Sequence, residues 1–176
     1  MIILPTLLNG TYVIEPERLE DERGFFARTW CQREFQNYGL NLTIVQCSVS
    51  FNRRKGTLRG MHYQAAPKAE AKVVRCTRGA IYDVIVDIRP GSATFKKWVA
   101  TELTAENHRM HYIPEGLAHG FQTLEDETEV FYEISEFHAP ECARGFRWDD
   151  PVFDIDWPPA SERIISDRDR NFPDFL

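Results

Sequence analysis

The sequence has few cysteines and no long hydrophobic run, and each shortage argues against a class of protein. Its four cysteines, at positions 31, 47, 76 and 142, stand too far apart for a CxxC metal-binding motif. No apolar run approaches the roughly 20 residues that a membrane-spanning helix needs. The first residues lack the basic segment of a secretory signal peptide. We therefore expect a cytoplasmic protein with reduced cysteines, among which Cys76 packs as a small apolar residue.

Basic residues are also fewer than acidic ones. The 176 residues include 21 lysines and arginines against 27 aspartates and glutamates, which gives a net charge of −6. A protein of that sign has no overall attraction to nucleic acid or to an anionic membrane, so we expect neither as a partner. Hydrophobic residues make up 43% of the chain, which is enough for a packed core. At this length, residues 1–176 are expected to form a single domain.

Short β-strand patterns dominate the middle of the chain. Residues 71–78 and 80–89 flank Gly79, which predicts two strands joined by a turn. The second strand alternates, with one apolar face and one polar face, and the polar face carries Asp83, Asp87 and Arg89. Similar β-branched and aromatic stretches follow at 98–103, 110–113 and 129–137. This spacing of short strands is typical of a β-sandwich or barrel.

Helical patterns are few. Residues 31–38, closed by Gly39, predict a helix of two turns, and residues 104–107 predict the start of a brief one. The segment from Asp156 onward contains too many prolines for a long helix but enough aromatic residues to pack against the body of the protein. We therefore expect an all-β fold with a few short helices.

Two segments contain a histidine beside glycines. Residues 56–64 read GTLRGMHYQ around His62, and residues 114–121 read PEGLAHGF around His119. Their order resembles the two sequence motifs of the cupin jelly roll, a double-sheet architecture. Metal-binding cupins have a second histidine where this chain has Gln64, which leaves His62, His119 and Glu70 as a small set of metal ligands. We therefore expect no metal.

A metal-free pocket with an imidazole, an ammonium group and a phenol suits proton transfer beside a carbonyl. His62 is a candidate base, Lys72 a candidate stabiliser of the enolate oxygen, and Tyr132 a candidate acid on the opposite face. Each residue also has an ordinary interpretation. The histidine can be a core or turn residue, the lysine a solvated strand residue, and the tyrosine a core ring. Composition and spacing alone leave both interpretations open.

Four segments together carry a resemblance to a known family. They are residues 21–26 (DERGFF), 58–64 (LRGMHYQ), 114–121 (PEGLAHGF) and 147–151 (RWDDP). In this order, over nearly the whole chain, they resemble dTDP-4-dehydrorhamnose 3,5-epimerase. The resemblance implies a cupin-type jelly roll, a homodimer, no cofactor, and a nucleotide-linked 4-keto-6-deoxy sugar as the substrate. It also implies epimerisation beside the ketone, in deoxysugar biosynthesis.

The resemblance also implies residue roles. The catalytic positions match His62, its carboxylate partner Asp169, the acid Tyr132, and Lys72 beside the sugar carbonyl. The substrate-binding positions match Arg23, Phe26, Gln46, Ser48, Arg59, His119 and Arg168. Arg23, Phe26 and Gln46 match the nucleotide end, and an arginine there is the expected partner of a diphosphate. In a dimer, the amino-terminal segment would carry Arg23 and Phe26 into the partner's pocket.

Some positions depart from the family pattern. Arg28 stands where a glutamate is usual, Ser48 where an asparagine is common, and Ala143 where an acidic residue is common. The identity of the nucleotide base therefore stays open, as does the number of carbons inverted. Two alternatives also stay open: a 3- or 5-epimerase or ketoisomerase on the same fold, and a non-catalytic cupin that binds a sugar.

Overall fold

A computed structural model describes residues 1–40 and 43–175 of the chain. Within these residues it contains thirteen strands and two short helices. In chain order they are β1 (Ile2–Pro5), β2 (Tyr12–Glu15), β3 (Arg18–Asp21), β4 (Gly24–Ala27), α1 (Gln32–Asn37), β5 (Gln46–Asn52), β6 (Leu58–Gln64), β7 (Lys72–Arg78), β8 (Ala80–Asp87), β9 (Trp98–Thr104), β10 (Met110–Ile113), β11 (Leu117–Thr123), β12 (Thr128–Ile134), β13 (Ala143–Gly145) and α2 (Asp167–Arg170).

The strands form two large antiparallel sheets and one small hairpin. One sheet has six strands in the order β1-β2-β10-β7-β12-β5, and the other has five in the order β13-β6-β11-β8-β9. Strands β3 and β4 pair only with each other in the described chain. Two facing antiparallel sheets, with the order of strands shuffled relative to the sequence, fit the predicted jelly roll.

Three apolar clusters hold the layers together. The central cluster takes residues from both sheets, such as Val74 and Val130 from one and Ile85 and Phe121 from the other. A second covers the outer face of the six-stranded sheet, where α1 contributes Phe35. The third covers the outer face of the five-stranded sheet with carboxyl-terminal aromatic residues. Each sheet is therefore packed on both faces.

Most sequence predictions of local structure are confirmed. Gly79 has φ +75° between β7 and β8, a conformation that suits glycine, and an added Cβ would lie 2.5 Å from the Thr128 hydroxyl oxygen. Cys76 packs in the central cluster, and burial raises the pKa of its thiol to about 11. The carboxyl-terminal segment packs back through Trp157 and Phe175. All four cysteines are free thiols.

The brief helix predicted at residues 104–107 is wrong. The Thr104 hydroxyl oxygen accepts hydrogen bonds from the backbone N–H groups of Glu106 and Asn107, at 3.2 and 2.9 Å. This side chain closes a turn in place of the backbone bonds of a helix.

Neither α1 nor α2, the helices of the described chain, has the length and apolar content of a membrane-spanning segment.

Candidate active site

A cavity of about 340 Å³ opens between the two sheets. Strands of the six-stranded sheet contribute Ser48, Lys72 and Tyr132 to its wall. Strands of the five-stranded sheet contribute Arg59, His62 and His119, and the exposed Arg168 of α2 lies at its edge. The sandwich therefore brings together polar side chains that are far apart in the sequence.

His62 forms a hydrogen-bonded pair with Asp169 behind the cavity wall. Its Nε2 lies 2.8 Å from the Asp169 Oδ1, and this carboxylate is buried while 41% of the imidazole side chain stays exposed. Burial acts to raise the pKa of Asp169, but the hydrogen bond and charge of His62 outweigh it and lower the pKa. An ionised carboxylate on Nε2 leaves Nδ1 as the basic nitrogen of a neutral ring.

The β6 strand places His62 in the cavity by means of a bulge at Gly60. His119 of β11 pairs with His62, but Phe121, two residues later, pairs with Arg59, so β6 has one extra residue here. Because of this extra residue, Arg59 and His62 both line the cavity. The Gly60 N–H donates to the Asp169 Oδ2 at 3.2 Å.

Only glycine fits at this bulge. Gly60 has φ +127°, and a Cβ on it would lie 2.6 Å from the Cα of Gly120 and 2.9 Å from the carbonyl oxygen of His119. A Cβ on Gly120 would in turn lie 2.7 Å from the sulfur of Met61. Gly60 and Gly120, each within two residues of a cavity histidine, therefore allow β6 and β11 to approach closely enough to place both rings at the cavity.

Asp169 is positioned by the first turn of α2. Its backbone N–H donates to the Ser166 hydroxyl oxygen at 3.1 Å, which caps this short helix. Phe172, just after the helix, packs its ring edge-on against His62 with 5.8 Å between the centroids. The short helix was not predicted from the sequence, although Asp169 was assigned its role by resemblance.

Lys72 is a buried lysine with a carboxylate partner. Its Nζ lies 2.8 Å from the Glu70 Oε1, and both side chains are largely buried at the cavity wall. A buried ammonium needs such a partner, because its desolvation is otherwise costly. Glu70, which the sequence suggested as a metal ligand, thus forms an ion pair.

Tyr132 lines the cavity from the sheet opposite His62. Its ring packs against the central cluster and lies edge-on to His119, with 6.3 Å between the ring centroids. Burial raises the pKa of Tyr132, and the negative charge of Asp83 adds to the effect. The phenol therefore keeps its proton at neutral pH, as a proton donor requires.

His119 belongs to a buried polar cluster that sequence reasoning missed. Its Nε2 lies 2.6 Å from the Asp83 Oδ1, and the Nδ1 of His111 lies 2.7 Å from the Asp83 Oδ2. Asp83 and His111 are fully buried. No local signal identified this cluster, because alternation placed Asp83 on the polar face of its strand and its burial depends on the opposite sheet.

Two other predicted residues, Arg59 and Gln46, form hydrogen bonds at or beside the cavity. Arg59 is fixed by a hydrogen bond from its Nε to the Asn52 side-chain oxygen at 2.8 Å. Gln46, at the start of β5, accepts a hydrogen bond at 2.9 Å from the backbone N–H of His138, which lines the cavity. Ala143, a departure from the family pattern, also lines it.

The cavity of the described chain does not include Arg23, Phe26 or Arg28. Arg23 and Phe26 lie on the β3–β4 hairpin, where 89% of the Arg23 side chain and 71% of Phe26 are exposed. Arg23 pairs with Asp21 of the same hairpin, and Arg28 forms an ion pair with Glu34 at 2.8 Å. These side chains therefore do not contribute to the cavity that the chain's own catalytic candidates line. Residues 1–40 and 43–175 contain no group of three or more ligand-type side chains arranged to hold a metal ion.

Comparison with known proteins shows the family of this chain. A family model described as dTDP-4-dehydrorhamnose 3,5-epimerase matches residues 5–176. The chain is 45% identical over 171 residues to the dTDP-4-dehydrorhamnose 3,5-epimerase of Methanothermobacter thermautotrophicus, covering 96% of this chain and 91% of that protein.

Solved structures of such enzymes share the fold. The chain is similar to the Bacillus anthracis dTDP-4-dehydrorhamnose 3,5-epimerase with TDP and PPi bound, at 38% identity and a TM-score of 0.95 over 99% of both chains. It is also similar to the Legionella pneumophila dTDP-6-deoxy-D-glucose-3,5-epimerase in complex with dTDP-4-keto-L-rhamnose, at 36% identity and a TM-score of 0.90 over 96% of this chain and 89% of that one. The predicted all-β, cupin-type jelly roll is confirmed, and the chain belongs to the dTDP-4-dehydrorhamnose 3,5-epimerase family.

Proposed function

We propose that the chain epimerises a nucleotide-linked 4-keto-6-deoxy sugar at carbons next to the ketone. The observation that carries the proposal is that His62 and Tyr132 line one cavity from opposite sheets. A base on one side of a sugar ring and an acid on the other are what inversion of a carbon centre requires. The ligand named for the Legionella structure, dTDP-4-keto-L-rhamnose, supports this substrate class.

The proposed mechanism begins at His62. Its Nδ1 removes a proton from a carbon beside the ketone while Asp169 stabilises the imidazolium that forms. The electron pair of the broken C–H bond moves toward the ketone oxygen and forms an enolate. Lys72, fixed by Glu70, supplies the positive charge that stabilises this oxygen.

Tyr132 completes the reaction in this proposal. Its phenol, which is protonated at neutral pH, donates a proton to the carbon from the face opposite His62 and restores the ketone with inverted configuration. Arg59, His119, Ser48 and Arg168 would hold the rest of the substrate. The two proton carriers then return to their starting states by exchange with water.

We further propose that a homodimer completes the substrate site. Arg23 and Phe26 are exposed on the β3–β4 hairpin and do not line their own cavity, which supports a role in the partner's cavity. There the guanidinium would pair with the diphosphate. Light scattering of the active enzyme tests this point, because a fully active monomer would contradict it. The cytoplasmic location stays a prediction from the sequence.

The test is incubation of the full chain with dTDP-4-keto-6-deoxyglucose in deuterated water. We expect proton NMR to show deuterium at a carbon next to the ketone, together with inverted configuration there, and a rate unchanged by a chelator. The label position distinguishes a 3,5-epimerase from an enzyme that inverts one carbon. A folded protein that binds the nucleotide sugar without incorporating deuterium would overturn the proposal and favour a non-catalytic sugar-binding cupin.

A further inference from the structure

A series of four hydrogen-bonded polar side chains leads from the cavity into the interior of the sandwich. His119 lines the cavity and contacts Asp83 at 2.6 Å, and Asp83 contacts His111 at 2.7 Å. The Nε2 of His111 lies 2.8 Å from the hydroxyl oxygen of Thr101. Neither Asp83 nor His111 lines the cavity, so an effect of His111 on the substrate passes through Asp83 and His119.

The Asp83 carboxylate, which lies between His119 and His111, requires both histidines. Asp83 is fully buried, and each of its two oxygens contacts one imidazole. Burial acts to raise the pKa of Asp83, but its pairing with His119 and His111 outweighs burial and lowers the pKa. Asp83 is therefore an anion at neutral pH, and each histidine points an N–H group at it.

These contacts determine the proton positions on both rings. Burial lowers the pKa of His119, so the ring is neutral at neutral pH and places its single N–H on Nε2, toward Asp83. His119 thereby keeps an unprotonated Nδ1. In His111 the Nδ1 donates a proton to the hydrogen bond with Asp83, and Nε2 lies 2.8 Å from the Thr101 hydroxyl oxygen.

His111 also joins the two halves of the candidate site. It lies on β10 of the six-stranded sheet, where its neighbour across the ladder is Val74 of β7, the strand that begins with Lys72. Asp83, His119 and Thr101 belong to the five-stranded sheet. Of the four side chains, His111 is the one that crosses between the sheets.

We propose that His111 is a positioning residue, which holds Asp83 from the opposite sheet so that His119 keeps one ring orientation and one tautomer at the cavity. Its effect on turnover rests on the proposed function, whereas its effect on the His119 ring does not. Without His111, one oxygen of a buried carboxylate loses its partner. Asp83 can then rotate or take up a proton, and His119 is no longer held in a single state.

The test compares His111→Leu with His111→Asn. The leucine removes the donor, whereas the asparagine amide can place an N–H near the position of Nδ1 and keep the contact with Asp83. We expect kcat to fall roughly tenfold in H111L with KM within about twofold of the parent, and H111N to recover most of the loss. His108→Asn is the matched control, because His108 does not line the cavity and has φ +56°, which asparagine tolerates.

Nitrogen-15 NMR of the resting protein gives a readout that turnover does not affect. We expect one His119 tautomer, protonated at Nε2, in the parent, H108N and H111N, and a mixture or a shifted state in H111L. If H111L keeps the parental kcat and the parental His119 signals, the proposal is wrong. It is also wrong if a folded H111N is as impaired as H111L.

A second variant covers the case in which H111L does not fold. Thr101→Val removes only the hydroxyl that contacts His111, and we expect a shifted His111 Nε2 signal in the nitrogen-15 spectrum and a decrease in kcat of about twofold to threefold. A parental spectrum and rate in T101V, together with an impaired H111N, would contradict the proposal. A parent with the expected tautomer but no epimerisation would overturn the proposed function alone.

Discussion

Two histidine–aspartate arrangements meet at the same cavity and differ in burial. In the first, His62 pairs with Asp169 of the carboxyl-terminal segment, and 41% of the imidazole side chain stays exposed. In the second, His119 and the fully buried His111 share Asp83 between the sheets. The same chemical groups therefore stand in two environments, one open to the cavity and one closed.

The difference in burial suits different tasks. A base must gain and lose a proton in every turnover, so access to the cavity and a carboxylate that stabilises the charged ring favour His62. A group that orients a substrate must stay in one protonation state, so a closed network favours His119.

The largest effect is expected for His62→Ala. This change removes the base, so deuterium exchange into the 4-keto sugar should fall by roughly a hundredfold to ten thousandfold. Proton NMR in deuterated water measures the rate, with H108N as the control for loss of a histidine elsewhere. Exchange at the parental rate in H62A would assign the base to another residue.

The next effect concerns stability and should be larger for the closed arrangement. Asp83→Asn leaves two buried imidazoles without their shared anion, and we expect a loss of about 3 kcal/mol in the free energy of unfolding. Asp169→Asn, beside the partly exposed His62, should cost about 1 kcal/mol. Denaturant unfolding measures the loss of unfolding free energy in each variant. Equal losses would contradict the expected difference between the closed and the open arrangement.

A smaller effect is expected for Asp169→Asn on the rate. The asparagine side chain carries no charge to stabilise the imidazolium of His62, so kcat should fall about tenfold with little change in KM. Steady-state kinetics at neutral pH measure both constants. A D169N variant with the parental kcat would show that the carboxylate does not assist the base.

The smallest effect is the pH dependence of the Asp169 contribution. The pKa of Asp169 is lower in the folded chain than its ordinary value, so folding favours the ionised form. The stabilisation is therefore present above the unfolded-state pKa of about 4 and is lost as pH falls through the folded-state pKa. The difference in unfolding free energy between the parent and D169N should accordingly shrink as the pH falls below about 4. A difference that grows as the pH falls below about 4 would contradict this sign.

The strands could be predicted from the sequence because alternation and turn residues are local signals. Gly79 marks the turn between β7 and β8, and both strands begin within one residue of the predicted start. The polar face of β8 was also predicted from alternation. That this face is buried, with Asp83 between two histidines, depends on which sheet lies opposite, and a local pattern carries no such information.

The residues of the candidate site were likewise predicted only in part. His62, Lys72 and Tyr132 were proposed from chemistry, and Asp169 from resemblance, and the cavity brings the first three together with Asp169 behind His62. His111 was missed because it has no motif and its role requires contacts across two sheets. Arg23 and Phe26 lie outside the chain's own cavity, and a second copy of the chain is needed to test their prediction.

The proposed inversion requires a base and an acid on opposite faces of one sugar ring. Tyr132→Phe separates the two, because it removes the donor hydroxyl and leaves His62, Lys72 and the cavity shape in place. In deuterated water, we expect Y132F to exchange hydrogen beside the ketone but to yield little or no inverted product. Inversion at the parental rate in Y132F, measured by proton NMR in the same sample, would show that Tyr132 is not the acid.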